Sequence, residues 1–316
     1  MAEQYLRTCT LAVEGGGKTL DLSQMRIRFA TRQRDTSTPH VLNAIVSNVS
    51  RQTAEMIRKE YKTVSLSAGY RSGSGLIFKG EILQVRSGRE NVADSYVHIL
   101  ATSSERARNF ATVNKTLAAG HTFRDRVDVA TQAMKQYGIT IGHIDQLDPR
   151  KFPRAFAAFG MAKDLLRDVC FSTGSSWHNH NGTFHLVKNS GTLPGDTVVL
   201  NSNTGMVGLP EQTLQGVIVR CLLNYRIRPA QKLQINESSI QRASLDPAYT
   251  GGLGNYNLSD AGILGVAADG IYKALLVEHS GDTRGPDWYT DITCVKADGG
   301  ESPALRARGI SDTEAD

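Results

Sequence analysis

The 316-residue chain is poor in cysteine, in tryptophan and in long apolar runs, and each shortage closes off a class of protein. Its four cysteines, Cys9, Cys170, Cys221 and Cys294, lie far apart, with no Cys-x-x-Cys pair. That excludes a disulfide-dense scaffold and a cysteine-type zinc finger, and the four read as reduced, buried thiols in a cytosolic setting. No stretch of 18 apolar residues occurs, so no transmembrane helix is expected. Residues 1–10 lack the apolar core of a signal peptide, so nothing suggests export by that route. A large excess of one charge is missing too. The 36 basic and 31 acidic residues leave a net charge of +5, too small to argue for nucleic acid by itself. No GxSxG, HExxH or kinase motif set is present.

What is present is ordinary globular composition, 40% hydrophobic and 21% charged, at a length that suggests about two domains. The first third reads as strands. Met25, Ile27 and Phe29 alternate with Arg26, Arg28 and Ala30. The apolar run 41–49 ends at Ser50, which caps a predicted helix through Lys59 with Ala54, Met56 and Ile57 as its apolar positions. Val64, Leu66 and Ala68 alternate within 62–70. Gly73-Ser74-Gly75 signals a turn before a strand at 76–85, whose opening Leu76-Ile77-Phe78 implies two partly buried faces. Gly80 inside it points to a bulge or a close backbone approach. A further strand, 92–102, alternates through Tyr96, His98 and Leu100.

The composition changes near residue 105. Thr122-x-x-Asp125 has the form of a capping box before Val127, Ala130, Met134 and Tyr137, and Gly138 stops that helix. A strand is predicted in 139–147, a helix over 160–171 carrying Met161, Leu165, Leu166 and Val169, and a hairpin over 177–187 turning at Asn181-Gly182. The β pattern then resumes with strands at 198–201, 216–223 and 232–240. A Gly-rich loop follows at 249–256, then a final strand pair at 270–279 and 288–296. The stretch 298–316 holds five acids (Asp298, Glu301, Asp312, Glu314, Asp316) and two arginines (Arg306, Arg308) without periodicity, and reads as a tail.

Five constellations could carry chemistry. Glu14-Gly15-Gly16-Gly17-Lys18-Thr19 ends like a phosphate loop, but Ala12 stands where the first glycine is needed, so a hairpin turn is the preferred reading. His178, His180 and His185 cluster about the Asn181-Gly182 turn, where His178 and His180 share one strand face. They could meet a metal, but no carboxylate sits beside them in sequence, and an ordinary hairpin is preferred. Gly205-Met206-Val207-Gly208-Leu209-Pro210 reads as a closely packed turn. Glu278-His279-Ser280-Gly281-Asp282-Thr283-Arg284-Gly285 reads as a structural loop in which Asp282 accepts backbone N–H groups and pairs with Arg284. Trp177, Trp288 and Tyr289 could stack on sugars in a carbohydrate-binding module, but core or interface packing is preferred. No catalytic, cofactor-binding or metal residue is assigned, and an enzyme is not expected.

Three segments give the chain a resemblance. The first is Arg26-Ile27-Arg28-Phe29 with the runs 43–50, 64–70 and 76–82. The second is 204–213 (TGMVGLPEQT) followed by 216–224 (GVIVRCLLN). The third is Asp269-Gly270-Ile271-Tyr272 with 279–285 and Trp288-Tyr289. Together they resemble the baseplate hub proteins of contractile-tailed bacteriophages over roughly residues 5–297. Tyr225 departs from the proline expected there.

The resemblance implies a mainly β (α+β) fold, with two tail-tube-like β-barrel domains and a smaller α/β domain between them. The boundaries implied are 1–104 (first barrel), 105–192 (small domain), 193–297 (second barrel) and 298–316 (C-terminal tail). It further implies a homotrimeric, pseudo-sixfold ring joining the tail tube to the spike and lining the DNA channel. The partners implied are the tail tube protein, the spike protein, the tape measure protein and other baseplate proteins. Double-stranded DNA passes through without specific binding, and no cofactor or membrane is involved. The protein belongs in the virion's tail baseplate, assembled in the host cytoplasm. Residues 1–110 hold 16 basic and 10 acidic residues, and Arg26, Arg28, Arg32 and Arg34 are expected at subunit contacts and the outer surface, because a basic lumen would retard DNA. A tube adaptor or tail-completion protein is the alternative within the same particle. A cell-wall hydrolase is a further one, but the three units leave no room for it.

Overall fold

The computed structural model describes residues 6–92, 94–213, 216–236, 241–242 and 270–297. The chain is mainly β. Its N-terminal part comprises β1 (Arg7–Gly15), β2 (Lys18–Asp21), β3 (Ile27–Arg34), β4 (Val41–Ser47), α1 (Arg51–Glu60), β5 (Thr63–Tyr70), β6 (Gly73–Arg89) and β7 (Ser95–Thr102). β1 turns into β2 at Gly16 and Gly17, whose φ angles of 57° and 77° are those of a two-residue hairpin turn, so the phosphate-loop look-alike is a turn. Ser50 caps α1 by accepting the Thr53 N–H. Val64, Leu66 and Ala68 are all buried, as their alternation predicts.

One local expectation shifts, and others take on detail. Gly73-Ser74-Gly75 is already paired with β5, so the turn lies at Arg71 and Ser72. Ile77 is an extra residue between the pairs Leu66–Phe78 and Ser67–Leu76, which is why Ile77 and Phe78 are both buried. The carbonyl freed by that bulge is met by the buried Gln33 amide at 2.6 Å. Gly80 marks a close approach and not a bulge, since a Cβ there would sit 2.4 Å from the Thr102 carbonyl. On β7 the inward face is Val97, Ile99 and Ala101, and the half-exposed face is Tyr96, His98 and Leu100.

The middle part comprises α2 (Glu105–Phe110), β8 (Thr112–Leu117), α3 (Phe123–Lys135), β9 (Thr140–Ile144), β10 (Phe156–Met161), α4 (Ala162–Thr173), β11 (Ser175–His180) and β12 (Thr183–Lys188). Thr122 and Asp125 form the full reciprocal capping box of α3. Met161 precedes α4 and ends β10, so the helix begins two residues later than its apolar spacing suggests. β11 and β12 turn at Asn181-Gly182, both with positive φ, and β9 pairs parallel to β12. α3 and α4 pack over a core that includes Val127, Met134, Leu166, Trp177 and Phe184.

The C-terminal part comprises β13 (Val198–Leu200), a short 3-10 turn at Ser202–Thr204, β14 (Met206–Thr213), β15 (Gly216–Leu222), β16 (Lys232–Ile235), β17 (Gln241–Arg242), β18 (Ile271–Asp282) and β19 (Trp288–Lys296). The stretch 205–210 is not a closely packed turn. It lies mainly in β14, its pairing with β15 breaks between Val207 and Glu211, and Leu209 is exposed. The predicted loop at 249–256, the end of the strand predicted at 232–240 and the tail at 298–316 lie outside the described residues.

The described strands of the N- and C-terminal parts form one sheet, in the order β17-β14-β15-β19-β18-β3-β4-β7-β6-β5-β1-β2, with β13 and β16 attached through β18. This path is open, so neither part closes into a barrel within the described residues. The join is β3 against β18, antiparallel over seven residue pairs from Arg28–Asp282 to Arg34–Leu276. Each part has its own apolar cluster, and the N-terminal one takes in Leu223 and Trp288 from the C-terminal part. Phe29 meets Trp288 edge to face at 5.4 Å.

Tyr225 has a structural reason. Its ring lies against the glycines of β6, where a Cβ on Gly75 would come within 2.4 Å of the ring. Gly75→Val is therefore expected to destabilise by about 2 kcal/mol through overpacking. In a Tyr225→Ala background that penalty shrinks by at least about 1 kcal/mol, because the obstructing ring is gone. Chemical denaturation of the four proteins checks this, and additive penalties would show that the ring is not the obstacle.

Candidate functional site

The three parts meet around one buried carboxylate. Asp35 follows β3, where the strand leaves the sheet. Its Oδ1 accepts from His178 Nδ1 at 2.9 Å, and its Oδ2 lies 2.6 Å from Lys273 Nζ. All three side chains are at most 1% exposed. Lys273, on β18, also donates to the Lys188 carbonyl at the end of β12 at 3.1 Å. One residue from each part thus joins a single polar knot. Burial alone would raise the Asp35 carboxyl; the Lys273 ammonium and the His178 hydrogen bond outweigh it and hold it well below the usual carboxylate range.

A group of imidazoles surrounds the knot. The His40 ring sits 5.9 Å from that of His178 and 5.7 Å from that of His180, and His178 lies 5.4 Å from His185 across the hairpin. His178 and His180 do share a face, as their spacing predicts. His185 Nδ1 accepts the His143 N–H at 3.1 Å, which places its proton on Nε2. Burial, then the neighbouring His178, pushes His40 and His185 down to about 3, and burial takes His180 well below its ordinary value. These three rings are therefore neutral at pH 7. The buried Nε2 of His178 and Nδ1 of His180 find no hydrogen-bond partner among the described residues. Such atoms cost about 1–3 kcal/mol each.

Among the described residues no three histidine, cysteine or carboxylate side chains are arranged to bind a metal ion. The carboxylate that sequence proximity lacked is Asp35, 143 residues away, and it meets an imidazole and an ammonium instead. Asp35, His40 and Lys273 carried no sequence signal, since Asp35 and His40 belong to the polar stretch 31–40 (TRQRDTSTPH) and Lys273 is a single basic residue in an apolar strand.

The other candidates resolve into structure. Glu278, His279 and Ser280 lie within β18, not in a loop. Asp282 does accept the Arg284 N–H at 2.9 Å, but its ion pair is with Arg26 of the N-terminal part, at 2.5 Å, not with Arg284. Arg26 thus helps to clamp β3 to β18, as does the Arg32–Glu278 pair at 2.5 Å, while Arg28 pairs with Glu90 at 2.7 Å. Arg7 reaches the carbonyls of Gly285 and Pro286. Trp177 and Trp288 are buried, so neither ring face is open to a sugar, and Tyr289 is half-buried beneath Arg220. No helix among the described residues is long and apolar enough to cross a membrane.

What the described residues present is a braced β assembly, and its fold has likenesses among known proteins. No curated protein sequence matches the chain. Among solved structures it is similar to the tail protein from Neisseria meningitidis MC58, with a TM-score of 0.59 and 10% identity over 95% of this chain and 99% of that one. It is also similar to the 43 kDa tail protein of prophage MuSo2 from Shewanella oneidensis, with a TM-score of 0.54 and 9% identity over 92% and 98% of the two chains. A third is the E. coli c3393 protein, described as a component of the type VI secretion system with structural similarity to T4 tail proteins, at a TM-score of 0.51 and 10% identity over 86% and 73%. These likenesses place the fold among phage-tail proteins. The family model described as Baseplate hub gp41 matches residues 38–259, which include His178 and the surrounding imidazoles, the small α/β part and the TGMVGLP stretch at β14, while Asp35 and Lys273 fall outside it. The chain therefore belongs to the baseplate hub gp41 family, a structural component of the virion tail.

Proposed function

We propose that three copies of this protein form a pseudo-sixfold ring that joins the sixfold tail tube to the threefold spike of a contractile tail. A sixfold tube and a threefold spike cannot share equivalent contacts; a subunit carrying two similar faces resolves the mismatch. In this reading residues 1–104 and 193–297 are two tube-type β-barrels, 105–192 is the small domain between them, and 298–316 is a C-terminal tail. The ring contacts the tail tube, spike, tape measure and other baseplate proteins, and has no catalytic role. It assembles in the host cytoplasm and takes part in genome ejection, with double-stranded DNA passing without specific binding.

The observation that carries this reading is the β3–β18 join, seven residue pairs long and reinforced by the Arg26–Asp282 and Arg32–Glu278 pairs. It makes the N- and C-terminal parts two linked modules of one sheet, each wrapping its own apolar cluster. Arg26, Arg28 and Arg32 are engaged in ion pairs within the chain, and in this reading they lie at subunit contacts and the outer surface, away from the DNA path. The test is the particle mass and electron-microscopic class averages of the purified protein, alone and with the spike protein of the same genome. A hollow six-lobed ring near three times 34.4 kDa, about 103 kDa, is the expected result. A compact monomer without a lumen under both conditions would overturn the reading.

A further inference from the structure

The small α/β part carries a second feature, independent of the knot. β8 and β10 pair only with each other, so both outer edges of this two-stranded ribbon are open among the described residues. Phe159, on β10, is 85% exposed, and Phe110, just before β8, is 61% exposed. The opposite face of the ribbon is closed, with Val113 and Ala158 buried against the helices.

Charge is one-sided here. The segments 110–124 and 149–161, which contain the ribbon and its flanks, hold five basic residues and no acidic one. Arg124 and Arg150 pair with Asp128 and Asp148 just outside these segments. Lys115, Lys151 and Arg154 are exposed and make no ion pair among the described residues. The neighbouring rings are already taken. The Arg126 guanidinium lies 4.0 Å from the centroids of both Phe152 and Phe156, and His121 stacks on Phe152 at 5.0 Å. Phe159 has no such companion, so it is the ring left for something outside the chain.

We propose that this ribbon is a docking surface for an acidic, extended protein segment. The segment adds as a strand along the free edge of β10, supplying the backbone groups that the edge lacks. An apolar side chain of the segment lies beside Phe159, and its carboxylates face Lys151 and Arg154, which lead into β10. The alternation of apolar and acidic positions follows from the strand period of two. A partner without acidic residues would leave Lys151 and Arg154 unanswered, and one without apolar residues would leave Phe159 in water. Single-stranded nucleic acid is less well matched, because two free strand edges offer it nothing.

The full-length protein is titrated against a fluorescein-labelled eight-residue peptide of alternating valine and glutamate, followed by anisotropy. An octaglutamate peptide and a single-stranded oligonucleotide are the comparison probes. The alternating peptide is expected to bind at least tenfold more tightly than octaglutamate. Phe159→Ser should erase that preference, and Lys151→Glu with Arg154→Glu should weaken binding at least tenfold. These side chains are exposed, and circular dichroism verifies that the variants fold. Equal binding of the two peptides, unchanged binding by the variants, tighter binding of the oligonucleotide, or no binding at all would each overturn the proposal. The assay uses the isolated protein, so its outcome does not depend on the ring.

Discussion

Replacing Lys273 with methionine is expected to destabilise the protein by about 3–5 kcal/mol, the range for breaking a buried ion pair by removing one partner. The cost is not that of the Lys273–Asp35 attraction itself. It arises because Asp35 stays buried, facing only His178, after its ammonium partner is gone. The Lys188 carbonyl also loses its donor. The double variant Asp35→Leu, Lys273→Met should recover most of the loss, since no charge then remains in the knot. Denaturant unfolding of the wild type, the two single variants and the double variant closes the cycle. A single-variant penalty below about 1 kcal/mol, the value of an exposed pair, would mean that water reaches Asp35 and that the knot braces nothing.

Acid should loosen the same region well before the carboxylates titrate. His40 and His185 are held near 3, and His279, buried in the β3–β18–β19 sheet against Thr290, is held near 4, in each case chiefly by burial. Free histidine titrates at about 6.5, so between that pH and about 4 the unfolded chain binds protons that the folded chain refuses. Stability is then fully present above pH 6.5 and is lost as the pH falls. Each such ring forfeits on the order of 2–3 kcal/mol by pH 4.5, at 1.36 kcal/mol per unit. Three of them approach the whole margin of a typical domain, about 5–15 kcal/mol. Below about pH 4 the depressed Asp35 carboxyl adds a further loss in the same direction. The denaturation midpoint should be flat from pH 6.5 to 8 and fall steeply between 6.5 and 4.5. A midpoint unchanged at pH 4.5 would show that the rings are hydrated and free to protonate.

The contrast between what could and could not be read from sequence follows the range of the interactions. Ser50, the Thr122/Asp125 box, Gly16-Gly17 and Asn181-Gly182 act on backbone groups within three residues, so each declared its local geometry. The apolar spacing of α3 and α4 did likewise. The alternation of β7 does not by itself name its inward face, because Tyr96, His98 and Leu100 alternate as convincingly as Val97, Ile99 and Ala101, and only packing chooses between them. The extra residue at Ile77 was invisible, since its signature is a partner strand and the amide of Gln33. The knot lay furthest out of reach. Nothing near Asp35 in the chain signals Lys273, and the carboxylate that His178 needed arrives from another part of the fold. Function was legible only through the resemblance carried by whole segments such as TGMVGLPEQT, not through any single reactive side chain.

The β3–β18 join has a consequence during synthesis. β3 is complete early, yet the backbone group that Thr31 contacts, at His279, is translated 248 residues later. At about 5–20 residues per second, the outer edge of β3 waits roughly 12–50 s on the ribosome with no strand beside it. Several neighbouring copies translated from one message would present the same unpaired edge together. Such an edge is a template for intermolecular pairing, so a nascent chain of this design calls for a holding chaperone until β18 and β19 emerge.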